Sequence, residues 1–406
     1  MSAIAARFEE VRDPRAVGIV GVVLGVVAVW LVVPPETVRN VAVPVILGAA
    51  GAACGALTIA QGRKRLGWGA IVSGAIGIVA ALFVTRASVA NLDSVIIWST
   101  ILAATLVYAT PLTYAALGGM FSERSGVVNI GLEGMMLVGA FFGAYGADKT
   151  GSWALGILIG IASGCALGLV HAFFAIHLRA DQIVGGTAIN FLALGITGYL
   201  YNDIYGNNGT PNNLPAIPNV HLAFLSSIPP SGLGNFLENV FGNLNLMIWV
   251  SYAVLILSWL FLFRTALGLR IRSVGEHPRA ADTVGISVYA TRYGAVVASG
   301  GLAAMGGVFL SLGFVNSFTE NMTAGRGFIA LAALIFGKWR PFGAFGACLL
   351  FGFASALAPQ FQFVQSWATY GTLFEALPYL LTLIAVAGLI GRSIPPAADG
   401  KPYVRQ

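Results

Sequence analysis

The chain has 406 residues, of which 57% are hydrophobic and 9% charged. Soluble domains carry about 25% charged residues. So sparse a charged surface excludes a soluble globule, and it excludes disorder, coiled coil and collagen too. The apolar runs are too long and too continuous for an outer-membrane barrel, whose strands are about 10 residues and alternate. A polytopic helical membrane protein remains, and its 52 glycines suit close helix packing in lipid. The net charge of +6 reads as basicity at one membrane face, with no nucleic-acid partner.

A bilayer core needs about 20 apolar residues per helix. Twelve runs qualify as spans in chain order: Ala16–Val33, Val41–Ala60, Gly67–Val84, Val95–Leu117, Val127–Ala147, Trp153–Ile176, Ile183–Tyr201, Leu246–Phe263, Tyr293–Phe314, Gly327–Gly337, Phe342–Leu357 and Ala376–Ile390. The first follows Arg7, Arg12 and Arg15, yet Val33-Pro34-Pro35 is no small-residue cleavage site, so it reads as a retained helix. With both termini in the cytoplasm, only Arg39, Arg86, Lys149 and Arg326 of the 22 basic residues fall outside. That distribution fixes the orientation and supports the count of twelve. The expected fold is all-α and polytopic, with a ten-helix core of two inverted five-helix repeats and extra N-terminal helices. Residues 1–94 hold the N-terminal helices, 95–390 the core and 391–406 a cytoplasmic tail.

Two spans are irregular. The fifth opens on Gly126-Val127-Val128-Asn129-Ile130-Gly131-Leu132-Glu133-Gly134, where Gly, Asn and Glu interrupt the apolar run. The tenth, Gly327–Gly337, would rise only about 16 Å as a helix. Five spans separate them, so they enter from opposite faces, as in an inverted repeat. Paired weak helices of this kind point to a translocation pathway. The Gly156, Gly160, Gly164, Gly168 series and Gly343, Gly346, Gly352 follow them, and these serve close packing.

Asn129 and Glu133 are four apart and would share one face of a helix. With Asn190, and with Phe328 and Phe336 around the tenth span, they are candidate substrate-pathway residues. Amide and carboxylate groups suit hydroxyls, and aromatic faces suit a flat ring. Glu133 could equally tie two helices together, and the two Phe could face lipid. Glu133 reads as the one clear acid inside the membrane, which suits a neutral substrate.

The longest outer connection, Asn202–Asn245, has no Lys or Arg and reads as a docking surface or a spacer. In the longest inner loop, Pro278 suits a helix start and Gly285 its end. A short helix over Pro278–Val284 is expected, the alternative being a solvated loop.

The chain lacks a Gly-x-x-x-x-Gly-Lys-Ser/Thr loop, since Gly337-Lys338 is followed by Trp339. Power must therefore come from another chain or from an ion gradient, the second making the chain a secondary transporter coupled to protons through Glu133. Cys54, Cys165 and Cys348 sit singly in apolar runs, and His171, His177, His221 and His277 form no metal spacing, so no metal or catalytic site is expected.

Two stretches carry a resemblance. Gly126-Val-Val-Asn-Ile-Gly-Leu-Glu-Gly-Met-Met-Leu137 and Gly275-Glu-His-Pro-Arg-Ala-Ala-Asp-Thr-Val-Gly-Ile286 resemble permease subunits of ABC importers for ribose-type sugars, branched-chain amino acids and nucleosides. The Asn-Ile-Gly-Leu-Glu-Gly-Met form and Gly325-Arg-Gly-Phe-Ile-Ala-Leu-Ala-Ala333 are most similar to the nucleoside branch. The resemblance runs from about Val95 to Ile390, and the first three spans match it weakly. It implies a fold like that of the vitamin B12 importer permease. It implies three partners: a second homologous permease in a heterodimer, a cytoplasmic ATP-binding subunit carrying ATP and Mg, and an external substrate-binding lipoprotein. It also places Glu276, Pro278, Arg279, Ala280, Ala281 and Gly285 in the helix that couples to the ATPase, with Ala280 and Ala281 against the partner.

Overall fold

A computed structural model describes residues 14–31, 41–86, 97–206, 209–211, 214–228, 231–362 and 393–404. The described residues contain fourteen α-helices and a two-stranded antiparallel pairing. This is an all-α polytopic membrane protein. Seven helical segments are long and apolar enough to cross a bilayer, and three shorter apolar helices accompany them. Helices stand at eleven of the twelve expected runs. The twelfth, Ala376–Ile390, lies outside the described residues, as do Val32 and Val33 of the first.

The chain divides into two compact units, residues 1–101 with 357–392, and residues 102–356 with 393–406. In the first, α1 (Pro14–Trp30), α2 (Ala42–Ala60) and α3 (Lys64–Arg86) pack together. Glycines make this possible: a Cβ on Gly55 would lie 2.6 Å from the Gly67 carbonyl, and one on Gly67 would lie 2.5 Å from the Gly55 carbonyl. Backbones this close leave no room for a larger residue.

The second unit opens with most of α4 (Trp98–Arg124), followed by α5 (Leu132–Thr150), α6 (Trp153–Ala172) and α7 (Gln182–Tyr205). Fourteen of the nineteen residues of α5 are buried. It lies between α6, α7 and α12 (Val288–Val308). Burial by protein explains how α5 carries Glu133, a charge that lipid would not accept, while Asp148 and Lys149 pair with each other at the helix end. The α6–α12 crossing uses the expected glycine row: Gly164 lies against the Gly300 backbone and Gly168 against the Val296 carbonyl.

The outer connection is more ordered than the sequence suggests. Strand β1 (Asn219–His221) pairs with β2 (Asn243–Asn245), and α8 (Ser231–Phe241) lies between them. The amphipathic pattern of α8 was hidden by its four Gly and Asn residues. Leu214, Ile217, Val240 and Leu244 of this segment are buried.

The inner loop also gains a helix. After α9 (Leu246–Arg264), residues expected as loop form α10 (Ala266–Glu276), capped by the Thr265 side chain on Gly268 N–H. Its three charges had masked the buried positions Gly268, Ile271, Val274 and Gly275. Then come α11 (Pro278–Thr283), α12, α13 (Arg326–Phe336) and α14 (Pro341–Gln362).

Candidate functional site

The fifth span is broken. Its helix begins at Leu132, and residues 126–131 are not helical. Gly126, with φ +88°, makes the turn away from α4 in a conformation that other residues rarely adopt. The expectation that Asn129 and Glu133 share one helical face is therefore corrected: Asn129 precedes the helix. Two glycines and a branched pair, Val127-Val128, tip the local balance away from helix.

Non-helical backbone survives at membrane depth only where protein satisfies its polar groups. Three neighbouring helices do so here. The Val128 N–H donates to Gln182 Oε1 at 2.7 Å, and the Val128 carbonyl lies 3.0 Å from His171 Nε2. The Asn190 amide donates to the Ile130 carbonyl at 3.0 Å and accepts from the Gly134 N–H at 2.8 Å. Asn190 thus bridges the last residues of the break and the first turn of α5. Asn129 is fully buried and donates to Ser299 Oγ on α12 at 2.9 Å. Gln182, His171 and Ser299 went unnoticed in the sequence, because single polar residues in apolar helices give no local signal.

The tenth span is the other irregular element. Asn316, Asn321, Ala324 and Gly325 all take positive φ in the turns before α13, and Gly325 is its N-cap. The first N–H groups of a helix lack intrahelical partners. Here they find Glu133: Gly325 N–H donates to Oε1 at 2.8 Å and Gly327 N–H to Oε2 at 2.5 Å. A Cβ on Gly327 would lie 2.5 Å from Glu133 Cα, so the two helix starts touch backbone to backbone. The carboxylate therefore sits at the N-terminal end of α13 and within the first turn of its own helix. Both ends carry partial positive charge, which stabilises an anion.

Phe328 is 48% exposed at the start of α13. Phe336, at its end, packs against Phe351 with ring centroids 5.7 Å apart. Eight residues separate them, about 12 Å along the helix axis. The structure does not bring these two rings together around one ligand-sized space.

A second acid is buried in the protein. Glu123, at the end of α4, is 3% exposed and accepts a hydrogen bond from the Trp339 indole. Arg124 beside it donates twice to the Trp339 carbonyl. These contacts fasten α4 to the turn after α13. Glu123 joins Glu133 as a buried acid, one that the sequence did not single out, since a Glu-Arg pair at a helix end looks like a solvated terminus.

In the inner loop, Pro278 is the first residue of α11 and Gly285 takes φ +82° just beyond it, as expected. Arg279 and Ala280 are exposed, and Val284 is 73% exposed. Ala281 faces the other way, packed with Val274, Val288 and Tyr403. The expectation that both alanines lie against the partner is corrected for Ala281, whose side chain is already taken up by Val274, Val288 and Tyr403. Glu276 accepts from the Ala397 N–H at 3.1 Å. Arg292 is fully buried and donates to the carbonyls of Ser125 and Lys401.

The family model described as "Branched-chain amino acid transport system / permease component" matches residues 101–386. The guanosine ABC transporter permease protein NupQ of Bacillus subtilis is 44% identical over 321 residues, 77% of this chain and 99% of the relative. The nucleoside ABC transporter permease protein NupC of Lactococcus lactis is 40% identical over 317 residues, 75% of this chain and 96% of the relative. A glucose ABC transporter permease protein of Haloferax volcanii is a more distant match, 26% identical over 242 residues, 57% of this chain and 62% of the relative. No solved structure matches this chain. The family model spans most of the chain, and two relatives match it along nearly their whole lengths; the chain belongs to the family of ABC-transporter permeases of the branched-chain amino acid transport type.

Proposed function

We propose that this chain is the membrane-spanning permease subunit of an ATP-driven importer for nucleosides. The observation that carries the reading is the 44% identity to a guanosine permease along 99% of that relative. The chain has no phosphate-binding loop of its own, so a cytoplasmic ATP-binding subunit hydrolyses ATP with Mg and docks on α11 through Arg279, Ala280 and Val284. Glu276, Pro278 and Gly285 shape that helix.

The B. subtilis and L. lactis relatives each come with a second, more distant match from the same organism, NupP and NupB. That pairing supports a heterodimer of two permeases here. An external binding lipoprotein delivers substrate on the side of Asn202–Asn245. Both termini lie in the cytoplasm, on the basic face of a bacterial plasma membrane.

The pathway follows the two broken helices of an inverted repeat. Glu133, Asn190 and Asn129 hold the breaks in shape, and exposed Phe328 offers an aromatic face to a nucleobase. Phe336 supports α13 from behind. The glucose permease relative favours a second reading, a sugar as cargo.

Uptake of labelled nucleoside into vesicles with ATP clamped tests the energy source. Vanadate should abolish uptake and a protonophore should leave it intact. Collapse with the protonophore alone would make the chain a secondary transporter.

A further inference from the structure

The chain's end is read in sequence as a simple tail, yet residues 393–404 are docked along the base of the second unit. Ser393 Oγ donates to the Ile335 carbonyl in the last turn of α13 at 2.8 Å. The Ala397 N–H donates to Glu276 and the Ala398 N–H to the Gly275 carbonyl at 2.9 Å, at the end of α10. The Ala398 carbonyl reaches the break: a Cβ on Gly126 would lie 3.0 Å from it. Arg292 joins the same region, donating to the Lys401 carbonyl and to the Ser125 carbonyl before Gly126. Finally Tyr403, 7% exposed, packs on Ala281 and donates its hydroxyl to Asp282 Oδ2 of α11 at 2.8 Å.

One short segment therefore touches the end of α13, the broken approach to α5, and the helix α11. Those are the three elements whose relative positions must change if α11 is to drive the broken helices. A six-residue helix has little rigidity of its own. Its inner side rests on Val274, Val288 and Tyr403, so the tail is one of the three supports that set its position.

We infer that Ser393–Val404 is a strap of the coupling apparatus, with Tyr403 and Asp282 as positioning residues that carry displacement of α11 to the two broken helices. This rests on the reading of α11 as the ATPase contact. The Tyr403 ring supplies packing and its hydroxyl supplies the link, and the two are separable by substitution.

The test uses the assembled complex in proteoliposomes and reads ATP hydrolysed per nucleoside imported. Tyr403→Phe keeps the ring and removes the donor; Asp282→Ala removes the acceptor; Asp282→Asn keeps a carbonyl acceptor. Tyr403→Phe and Asp282→Ala should each raise the ratio about three- to tenfold, the scale of one lost hydrogen bond. The double variant should be no worse than either, and Asp282→Asn should stay near the parent. Unchanged ratios in assembled Tyr403→Phe and Asp282→Ala complexes would overturn the strap. Failure of both to assemble would overturn it as well, making the tail a folding element. Ala280→Trp, run alongside, separates the two claims. If it releases the ATPase while Tyr403→Phe changes nothing, the strap alone is wrong. If it assembles and couples normally, α11 is not the contact, and the strap falls with it.

Discussion

Glu133 and Gly327 meet where two helices begin: the carboxylate of the second residue of α5 accepts the Gly327 N–H at 2.5 Å, and also that of Gly325 at 2.8 Å. From this point α13 runs eleven residues, about 16 Å, to the turn at Lys338 and Trp339. That turn is bonded to Glu123 and Arg124 at the end of α4. The junction therefore lies about 16 Å from that end, a length comparable to half the hydrocarbon core of a bilayer. A carboxylate committed to two backbone donors is held in place by both helix starts.

Replacing Glu133 should weaken this junction in a graded way. Glu133→Ala removes both charge-assisted bonds, each worth about 1.5–3 kcal/mol, and leaves two N–H groups without partners. Glu133→Gln keeps one acceptor and turns an amide N–H toward the other donor. Thermal melting of the solubilised chain should rank Glu above Gln above Ala, with uptake falling in the same order. An Ala variant as stable and active as the parent would remove Glu133 from both roles.

Ala280 and Ala281 should respond oppositely to bulk. Ala281→Trp drives an indole into the space held by Val274, Val288 and Tyr403, so it should lower stability by several kcal/mol and reduce the yield of folded protein. Ala280→Trp lies on the exposed face and should fold normally. Equal melting temperatures for the two variants would contradict this placement.

Tail docking should depend on pH. Burial pushes the Asp399 carboxyl up to about 7, while the Gly400 N–H and Arg292 of α12 pull it down. Glu123 of α4 is the neighbouring acid, and Lys401 turns its amine to the Ala397 carbonyl. A free tail would titrate near the ordinary value of about 3.9. The docked form thus holds its proton more tightly, so docking is strongest at low pH and weakens as pH rises from about 4 through about 7. Hydrogen-exchange protection factors at Ala397 and Ala398 should be higher at pH 6 than at pH 8. Asp399→Asn should flatten the profile at the high level; protection that rises with pH in the parent would contradict the assignment.

Orientation is open to direct labelling. In a background with Cys54, Cys165 and Cys348 replaced, a cysteine at exposed Phe224 should react with an impermeant thiol reagent added to whole cells. One at exposed Val284 should react only after the membrane is opened. The reverse pattern would invert the topology drawn from the basic residues.

The helices were legible because lipid imposes one rule, a run of about 20 apolar residues, and most of the eleven runs where helices stand come close to it. The two irregular spans were legible too, since Gly126, Gly131 and Gly325 interrupt that rule openly. What holds the irregular spans was not. Asn190 was singled out, but its bridge from Ile130 to Gly134 depends on how α7 crosses α5, which no local pattern encodes. The burial of Arg292 was not legible either, because it is a tertiary property. Likewise α10 was lost among its Arg residues, although its apolar positions follow a helical period.

The most direct measurement is competition for uptake by the complete complex: this chain, its partner permease, the ATP-binding subunit and the binding lipoprotein, reconstituted together. Labelled guanosine should accumulate with ATP, and a hundredfold excess of unlabelled adenosine or another nucleoside should compete, while ribose, glucose and leucine should not. Accumulation of a sugar or of leucine, with guanosine neither imported nor competing, would contradict the nucleoside reading.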